Sequence, residues 1–116
     1  MKSTNKYRNK KTVIDGITFD SIKEANRYMV IKEMFKQGEI TDVILQPKFP
    51  IVDSVRCPVK NRKLPIRYYI ADFAYTCTMT GDRYVEDVKG MLTPMYRLKK
   101  QIFLLKYGAK YKFIET

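Results

Sequence analysis

The segment from Ile66 to Cys77 constrains the fold of this 116-residue chain more than any other stretch. It is rich in tyrosine, isoleucine and phenylalanine, and apolar residues occur on both of the faces that a strand would present. A strand that is apolar on both faces has to be covered on both sides, as in the middle of a layered protein. The segment therefore predicts a central strand in a sheet that is flanked by helices.

Helical patterns occur on either side of this segment. Residues 21–24 have the form of a capping box, and apolar residues at helical spacing predict a helix that continues to about Gln37. Thr93, as an N-cap, and Pro94, in the first turn, begin a second helix that ends near Gly108. The two patterns supply the layers that the central strand requires.

The remaining patterns predict strands, turns and one loop. They are a hairpin of residues 12–14 and 17–19, one strand over 43–52 that prolines interrupt at a sheet edge, a basic loop over 53–63, a strand over 83–89 that forms a hairpin with 66–77, and a short strand over 111–114. After the first hairpin the order is α-β-β-β-α-β. We expect an α/β fold with a central mixed sheet, in one domain over 12–116, preceded by a basic flexible arm over 1–11.

The ionisable composition excludes many kinds of catalytic site. The chain has 23 lysines and arginines against 12 acidic residues, a net charge of +11, and it has no histidine. Histidine-based triads, Cys-His pairs and HExxH zinc sites are therefore excluded, and two cysteines are too few for a four-thiolate zinc site. Any chemistry has to use carboxylates, lysine, tyrosine or a metal that oxygen atoms hold.

Most of the positive charge lies in three stretches without acidic residues, 2–11, 56–67 and 97–112. Basic residues that cluster apart from the acidic residues are typical of a surface that binds the phosphates of a nucleic acid. The DNA-contact candidates in these stretches are Lys10, Lys11, Arg62, Lys63, Lys99 and Lys100. A basic protein without such a partner is the alternative that charge alone leaves open.

Asp72 is the exception within the apolar segment. A carboxylate in a strand that is apolar on both faces is costly unless it is paired or binds a metal. The next predicted strand carries Glu86, Asp87 and Lys89, and strand alternation places Asp87 and Lys89 on one face and Glu86 on the other. A register error of one residue would exchange Glu86 and Asp87, so either is a candidate ligand. Oxygen donors of this kind suit Mg²⁺ or Mn²⁺.

Glu24 adds a third carboxylate if the first helix packs over this hairpin. It is equally the third helical residue of the capping box, a purely structural role. The residues alone leave both interpretations open.

Asp72, followed fifteen positions later by Asp87-Val88-Lys89, resembles the D…(D/E)XK signature of the PD-(D/E)XK nuclease superfamily, with Ala71 in place of its proline. The core order of that superfamily, whose fold is restriction-endonuclease-like, is also αβββαβ. The junction resolvases and transposon end-cleaving nucleases of this superfamily carry a glutamate on the first helix, and Glu24 occupies the corresponding position in this sequence. The chain also resembles small phage-encoded nucleases of this type from residue 7 to about 113. The matching stretches are KTVIDG (11–16), FDS (19–21), EANRY (24–28), LQPKF (45–49), YIADF (69–73) and VEDVKG (85–90).

This resemblance implies a Mg²⁺-dependent DNA endonuclease. Asp72 and Asp87 would hold the metal, Glu24 and the Val88 carbonyl would complete its coordination, and Lys89 would position the attacking water. Supporting roles fall to Gln46, Glu86 and Lys99.

The implied substrates are phage recombination or replication intermediates, such as branched or Holliday-junction DNA, cut by a homodimer. The alternatives are a non-catalytic DNA-binding or packaging accessory with the same fold, and a nuclease that acts on RNA. No apolar stretch approaches the ~20 residues of a membrane span, and the N-terminus lacks a signal core. We therefore expect no membrane partner and a location in the cytoplasm, that of the host cell for a phage protein.

Overall fold

A mixed β-sheet with helices on both faces organises the residues that the computed structural model describes, 10–88 and 92–116. The elements in chain order are β1 Thr12–Ile14, β2 Ile17–Phe19, α1 Ile22–Lys36, β3 Ile40–Leu45, β4 Lys48–Val52, β5 Val55–Cys57, β6 Arg62–Leu64, β7 Arg67–Ile70, β8 Phe73–Cys77, β9 Arg83–Asp87, α2 Pro94–Tyr107 and β10 Lys112–Glu115. A short 3-10 turn, Val59–Asn61, connects β5 to β6.

The central sheet has the strand order β10-β9-β8-β3 among the described residues. β8 is antiparallel to both β3 and β9, whereas β10 is parallel to β9 because α2 carries the chain back between them. Along the chain, the helices and strands of this sheet follow the predicted order α-β-β-β-α-β. The segment from β4 to β7 is inserted between the first and second of these strands.

Alternate residues of β8 and β9 divide the core between the two helices. Phe73 and Tyr75 pack in the cluster beneath α1, and Ala74 and Val85 pack in the cluster beneath α2. Phe103 of α2 is completely buried and is the aromatic centre of the second cluster. The predicted covering of β8 on both faces is therefore confirmed.

The predicted single strand over 66–77 is wrong, because the chain forms β7 and β8 on either side of a break at Ala71 and Asp72. The Ala71 N–H donates to the Pro47 carbonyl oxygen (3.1 Å), whereas the Asp72 N–H donates to the Glu86 carbonyl oxygen (3.1 Å). The backbone thus changes pairing partner at this point. β7 pairs with β4, outside the central sheet, and β8 pairs with β9.

One further strand prediction and the loop prediction are also wrong. Residues 43–52 belong to two strands rather than one, because Gln46, at φ 52°, turns the chain between the sheet edge at β3 and the separate pair of β4 with β7. Residues 53–63 are not a loop, because β5 and β6 pair as an antiparallel hairpin. Exposed charged side chains on both strands had hidden the alternation that identifies a half-buried strand.

Local turn and cap signals are confirmed. Asp15 and Gly16 both have positive φ between β1 and β2, as a tight hairpin requires. Residues 1–9 of the predicted basic arm lie outside the described residues, and Lys10 and Lys11 are exposed. Within the described part of the chain, no helix has the length and apolar character needed to cross a bilayer.

Candidate active site

Asp72 and Asp87 are cross-strand neighbours at one end of the central sheet. β8 and β9 pair as far as Phe73 with Glu86, and because Asp72 directly precedes Phe73 and Asp87 directly follows Glu86, both aspartates lie at the same end of this strand pair. The Val88 N–H donates to Oδ2 of Asp72 (2.6 Å), which fixes this carboxylate against the end of β9. Asp87 is 3% exposed and Asp72 is half-buried. The predicted pair of carboxylates is thus assembled by sheet register.

Glu24 lies in the first turn of α1, close to this pair. The Ser21 hydroxyl accepts the Glu24 N–H (3.1 Å) and holds the turn, while the Glu24 residue is only 6% exposed. Burial, and after it the negative charges of Asp72, Asp20 and Asp87, raise the pKa of the Glu24 carboxyl to about 7. A hydrogen bond from the Asp20 backbone opposes this rise in pKa. Glu24 therefore combines the capping position with a place beside both aspartates.

The chemistry of the donor set fits a hard divalent cation. Asp72, Asp87 and Glu24 offer oxygen atoms alone, and their mutual repulsion is the kind that Mg²⁺ or Mn²⁺ relieves. Among the described residues, no three histidine, cysteine or acidic side chains are already grouped closely enough to hold a metal ion. Coordination by all three carboxylates therefore requires their side chains to close around the ion.

Glu86 lies on the α1 side of the sheet, and its carboxylate is engaged in a network of its own. It is completely buried, and its carboxylate accepts hydrogen bonds from the Arg27 guanidinium through Nε and through Nη2 (3.0 Å). The hydroxyls of Tyr75 (2.6 Å) and Thr116 (3.1 Å) also donate to it. These bonds use both carboxylate oxygens of Glu86. The support that Glu86 gives to the site is indirect, through α1.

Arg27 is the residue that the sequence prediction overlooked. It lies three positions after Glu24, on the same side of α1, so its ion pair with Glu86 fixes the start of the helix against β9. A glutamate such as Glu86 in an otherwise apolar strand indicates that a cation must pair with it. The cation, Arg27, is 59 positions away in the sequence, so no local pattern identifies it.

Tyr96 approaches the site from α2. Its hydroxyl donates to Glu115 (2.5 Å), and burial, this bond and the charge of Asp87 raise its pKa. The Lys100 ammonium also donates to Glu115 (3.0 Å), so this DNA-contact candidate is already part of an ion pair. Lys99, the adjacent candidate, is half-buried beside Tyr96.

The other predicted residues differ in how they relate to the carboxylates. The Gln46 N–H donates to the Asp72 carbonyl oxygen (2.9 Å), which places this turn against the site. Arg62 and Lys63 are exposed on β6, outside the central sheet. Lys89, the predicted water-positioning residue, lies outside the described residues. The Val88 carbonyl remains a predicted ligand.

Comparison with known proteins gives one result. No curated protein and no solved structure matches the chain. A family model described as "Protein of unknown function (DUF1064)" matches residues 4–115. Because the match extends over nearly the whole sequence, the chain belongs to the DUF1064 family.

Proposed function

We propose that this protein is a metal-dependent DNA endonuclease that hydrolyses phosphodiester bonds. The observation that carries the proposal is the position of Asp72 and Asp87 at the same end of the β8–β9 pair, with the buried Glu24 close enough for their charges to raise its pKa. In a protein of net charge +11, three carboxylates that interact electrostatically would locally weaken the binding of phosphates unless a cation neutralised them. A divalent cation turns the same cluster into a site that attracts and polarises a phosphodiester.

The chain order of the central sheet supports the nuclease assignment. The order α1-β3-β8-β9-α2-β10 is that of the restriction-endonuclease-like core, and Asp72 and Asp87 fall at the ends of its second and third strands. Together with the D…(D/E)XK resemblance, this order favours a small phage nuclease of the PD-(D/E)XK type. The proposed substrates are branched intermediates of recombination or replication, which a homodimer would cut symmetrically.

Each residue of the site has a proposed role. Asp72 and Asp87 would hold Mg²⁺ or Mn²⁺, with Glu24 and the Val88 carbonyl completing the set. The bound ion supplies Lewis-acid activation and a water molecule of lowered pKa. Lys89, two residues after Asp87, orients the attacking water and balances the developing negative charge. The burial of Asp87 keeps bulk water from competing for its oxygen atoms.

A cleavage panel tests the substrate class. Equal amounts of Holliday junction, fork, flap, linear duplex and single strand are incubated with the protein in Mg²⁺, and in EDTA as a control. A structure-selective nuclease cuts the branched substrates fastest and cuts nothing in EDTA. Equal rates on all five would contradict the resolvase-like assignment, and faster cutting of RNA would contradict DNA as the substrate.

Calorimetric titration separates the enzyme from a non-catalytic DNA-binding or packaging accessory. The wild type should bind Mn²⁺, and Asp72→Ala should abolish the binding. Asp53→Ala is the matched control, because Asp53 is an exposed aspartate between β4 and β5. A wild type that binds no metal but still binds DNA would favour the accessory function.

A further inference from the structure

The β5–β6 hairpin stands apart from the rest of the fold. Its residues, Val55–Leu64, are called the basic ribbon below. Its two strands pair with each other and, among the described residues, with no strand of the central sheet. None of its residues belongs to either core cluster, and Val55 and Val59 are 57% and 68% exposed. The ribbon therefore contributes little to the core.

The basic ribbon carries a dense, unneutralised positive charge. Arg56, Lys60, Arg62 and Lys63 are all exposed, and the sequence has no acidic residue between Asp53 and Asp72. Within the part of the chain that the structure describes, none of the four cations forms an ion pair with a carboxylate. The charge is thus available to a polyanion.

The register of the ribbon brings like charges together. Arg56 lies directly opposite Lys63, and Arg62 lies opposite Cys57. Like charges in opposed positions destabilise an antiparallel pair, and a lone hairpin is only marginally stable in water. The Arg56 guanidinium donates to the Asn61 carbonyl oxygen (3.0 Å), which holds this side chain along the ribbon. An arrangement that opposes folding but concentrates cations on a short two-stranded element is suited to binding phosphates.

We propose that the basic ribbon lies in the major groove of duplex DNA beside the cleavage site, an inference that rests on the proposed function. A two-stranded ribbon, with strands ~4.8 Å apart, fits the major groove of B-DNA, which is about 12 Å wide. The major groove of duplex RNA is too narrow and deep to admit it. From within the groove, the side chains of both strands reach the phosphates along its two walls.

The covalent connection to the site sets the distance of this contact. β7 begins at Arg67, three residues after the end of β6, and leads directly to Asp72. The ten residues from Arg62 to Asp72 reach at most about 33 Å when extended. This length corresponds to roughly ten base pairs of duplex. The ribbon therefore contacts duplex within about one helical turn of the cut, and Arg67 adds a cation between the two places.

Salt-dependent binding tests the ribbon independently of cleavage. A labelled 30-base-pair DNA duplex is titrated with the full chain in EDTA, and fluorescence anisotropy is followed at several NaCl concentrations. The ribbon variant replaces Arg56, Lys60, Arg62 and Lys63 with glutamine. The control variant replaces Lys36, Arg83, Lys110 and Lys112 with glutamine and loses the same charge. These residues are exposed near the opposite end of the central sheet, where Lys112 is already paired with Asp82 (3.2 Å).

The ribbon variant should bind at least about tenfold more weakly at physiological salt. Its slope of log Kd against log[NaCl] should fall by about three to four, as the loss of four phosphate contacts at about 0.9 each predicts. The control should change the affinity less than threefold. Circular dichroism should show both variants folded, since none of these side chains belongs to the core.

Equal losses in the two variants would overturn the ribbon assignment in favour of net charge. Tighter ribbon-dependent binding to duplex RNA would overturn the DNA groove. If the ribbon variant binds DNA weakly but the wild type does not cut DNA in Mg²⁺, the DNA-binding role of the ribbon is supported and the nuclease proposal is refuted. If the wild type cuts DNA and the ribbon variant binds DNA as tightly as the wild type, the nuclease proposal is supported and the DNA-binding role of the ribbon is refuted.

Discussion

Replacing Arg27 with methionine tests whether the buried ion pair with Glu86 fixes α1 on the sheet. Methionine keeps most of the apolar stem of Arg27 and removes the charge. The completely buried Glu86 carboxylate then keeps only the hydroxyl donors of Tyr75 and Thr116. The substitution should therefore destabilise the protein through an uncompensated buried charge.

The size of the effect follows from the burial of the pair. Removing one partner of a buried ion pair costs about 3–5 kcal/mol, and the cost here should lie near 3 kcal/mol because the Arg27 side chain is 26% exposed. This loss is a large part of the 5–15 kcal/mol that typically stabilises a domain. For a chain of this length it lowers the Tm by about 10–15 °C.

Urea unfolding, followed by circular dichroism, measures the loss. Lys32→Met is the matched control on the same helix, because the Lys32 pair with Asp15 is exposed at both ends and should leave the unfolding midpoint unchanged. Adding Glu86→Gln to Arg27→Met should recover part of the loss, since it removes the unpaired charge. An Arg27→Met protein as stable as Lys32→Met, or a double variant less stable than Arg27→Met, would refute the reasoning.

Three further substitutions have defined outcomes. Glu24→Gln should stabilise the metal-free protein in EDTA at pH 8 by up to about 3 kcal/mol and have little effect at pH 5. The pKa of the Glu24 carboxyl is about 7 in the folded protein and near 4.5 in the unfolded chain. The contribution of this carboxyl to stability is therefore complete below pH 4.5 and is lost as the pH rises through 7. Urea midpoints at the two pH values check this, and an equal difference at both would contradict it. Thr93→Ala should cost about 1 kcal/mol, because the Thr93 hydroxyl accepts the Tyr96 N–H (3.0 Å) at the start of α2; an unchanged thermal midpoint would contradict the cap. Gly16→Ala should destabilise the first hairpin by about 1 kcal/mol, because Gly16 has φ 76°. Gly108→Ala cannot serve as its control, because the added Cβ would clash with the Leu104 carbonyl. If Gly16→Ala is as stable as the wild type in urea, the turn tolerates a side chain.

The boundaries of the helices could be predicted because their signals are local. The side chains of Ser21 and Thr93 each accept a hydrogen bond from the backbone N–H three residues later, so donor and acceptor lie within one helical turn of the sequence. The break at Asp72 could not be predicted, because it depends on Pro47 and Glu86, which the fold brings to the backbone from either side. The composition of the segment indicates only that it is apolar.

The candidate site was predictable in its residues but not in its environment. The Asp72–Asp87 pair follows from strand register once the β8–β9 hairpin is recognised. The partners of Glu86 come from α1, β8 and the last residue of the chain, so tertiary packing alone identifies it as a structural residue. The basic ribbon was hidden for a different reason, since exposed strands have no apolar face to reveal their period.

The most direct test of the proposed active site is the rate at which Asp87→Asn cuts a labelled Holliday junction in Mg²⁺. The substitution keeps the size and burial of the side chain and removes the charge that would hold the metal. The rate should fall more than about a hundredfold relative to wild type. Asp53→Asn should cut at the wild-type rate, and both proteins should bind the junction in EDTA. Undiminished cutting by Asp87→Asn would contradict the assignment of these carboxylates as the metal site of a nuclease.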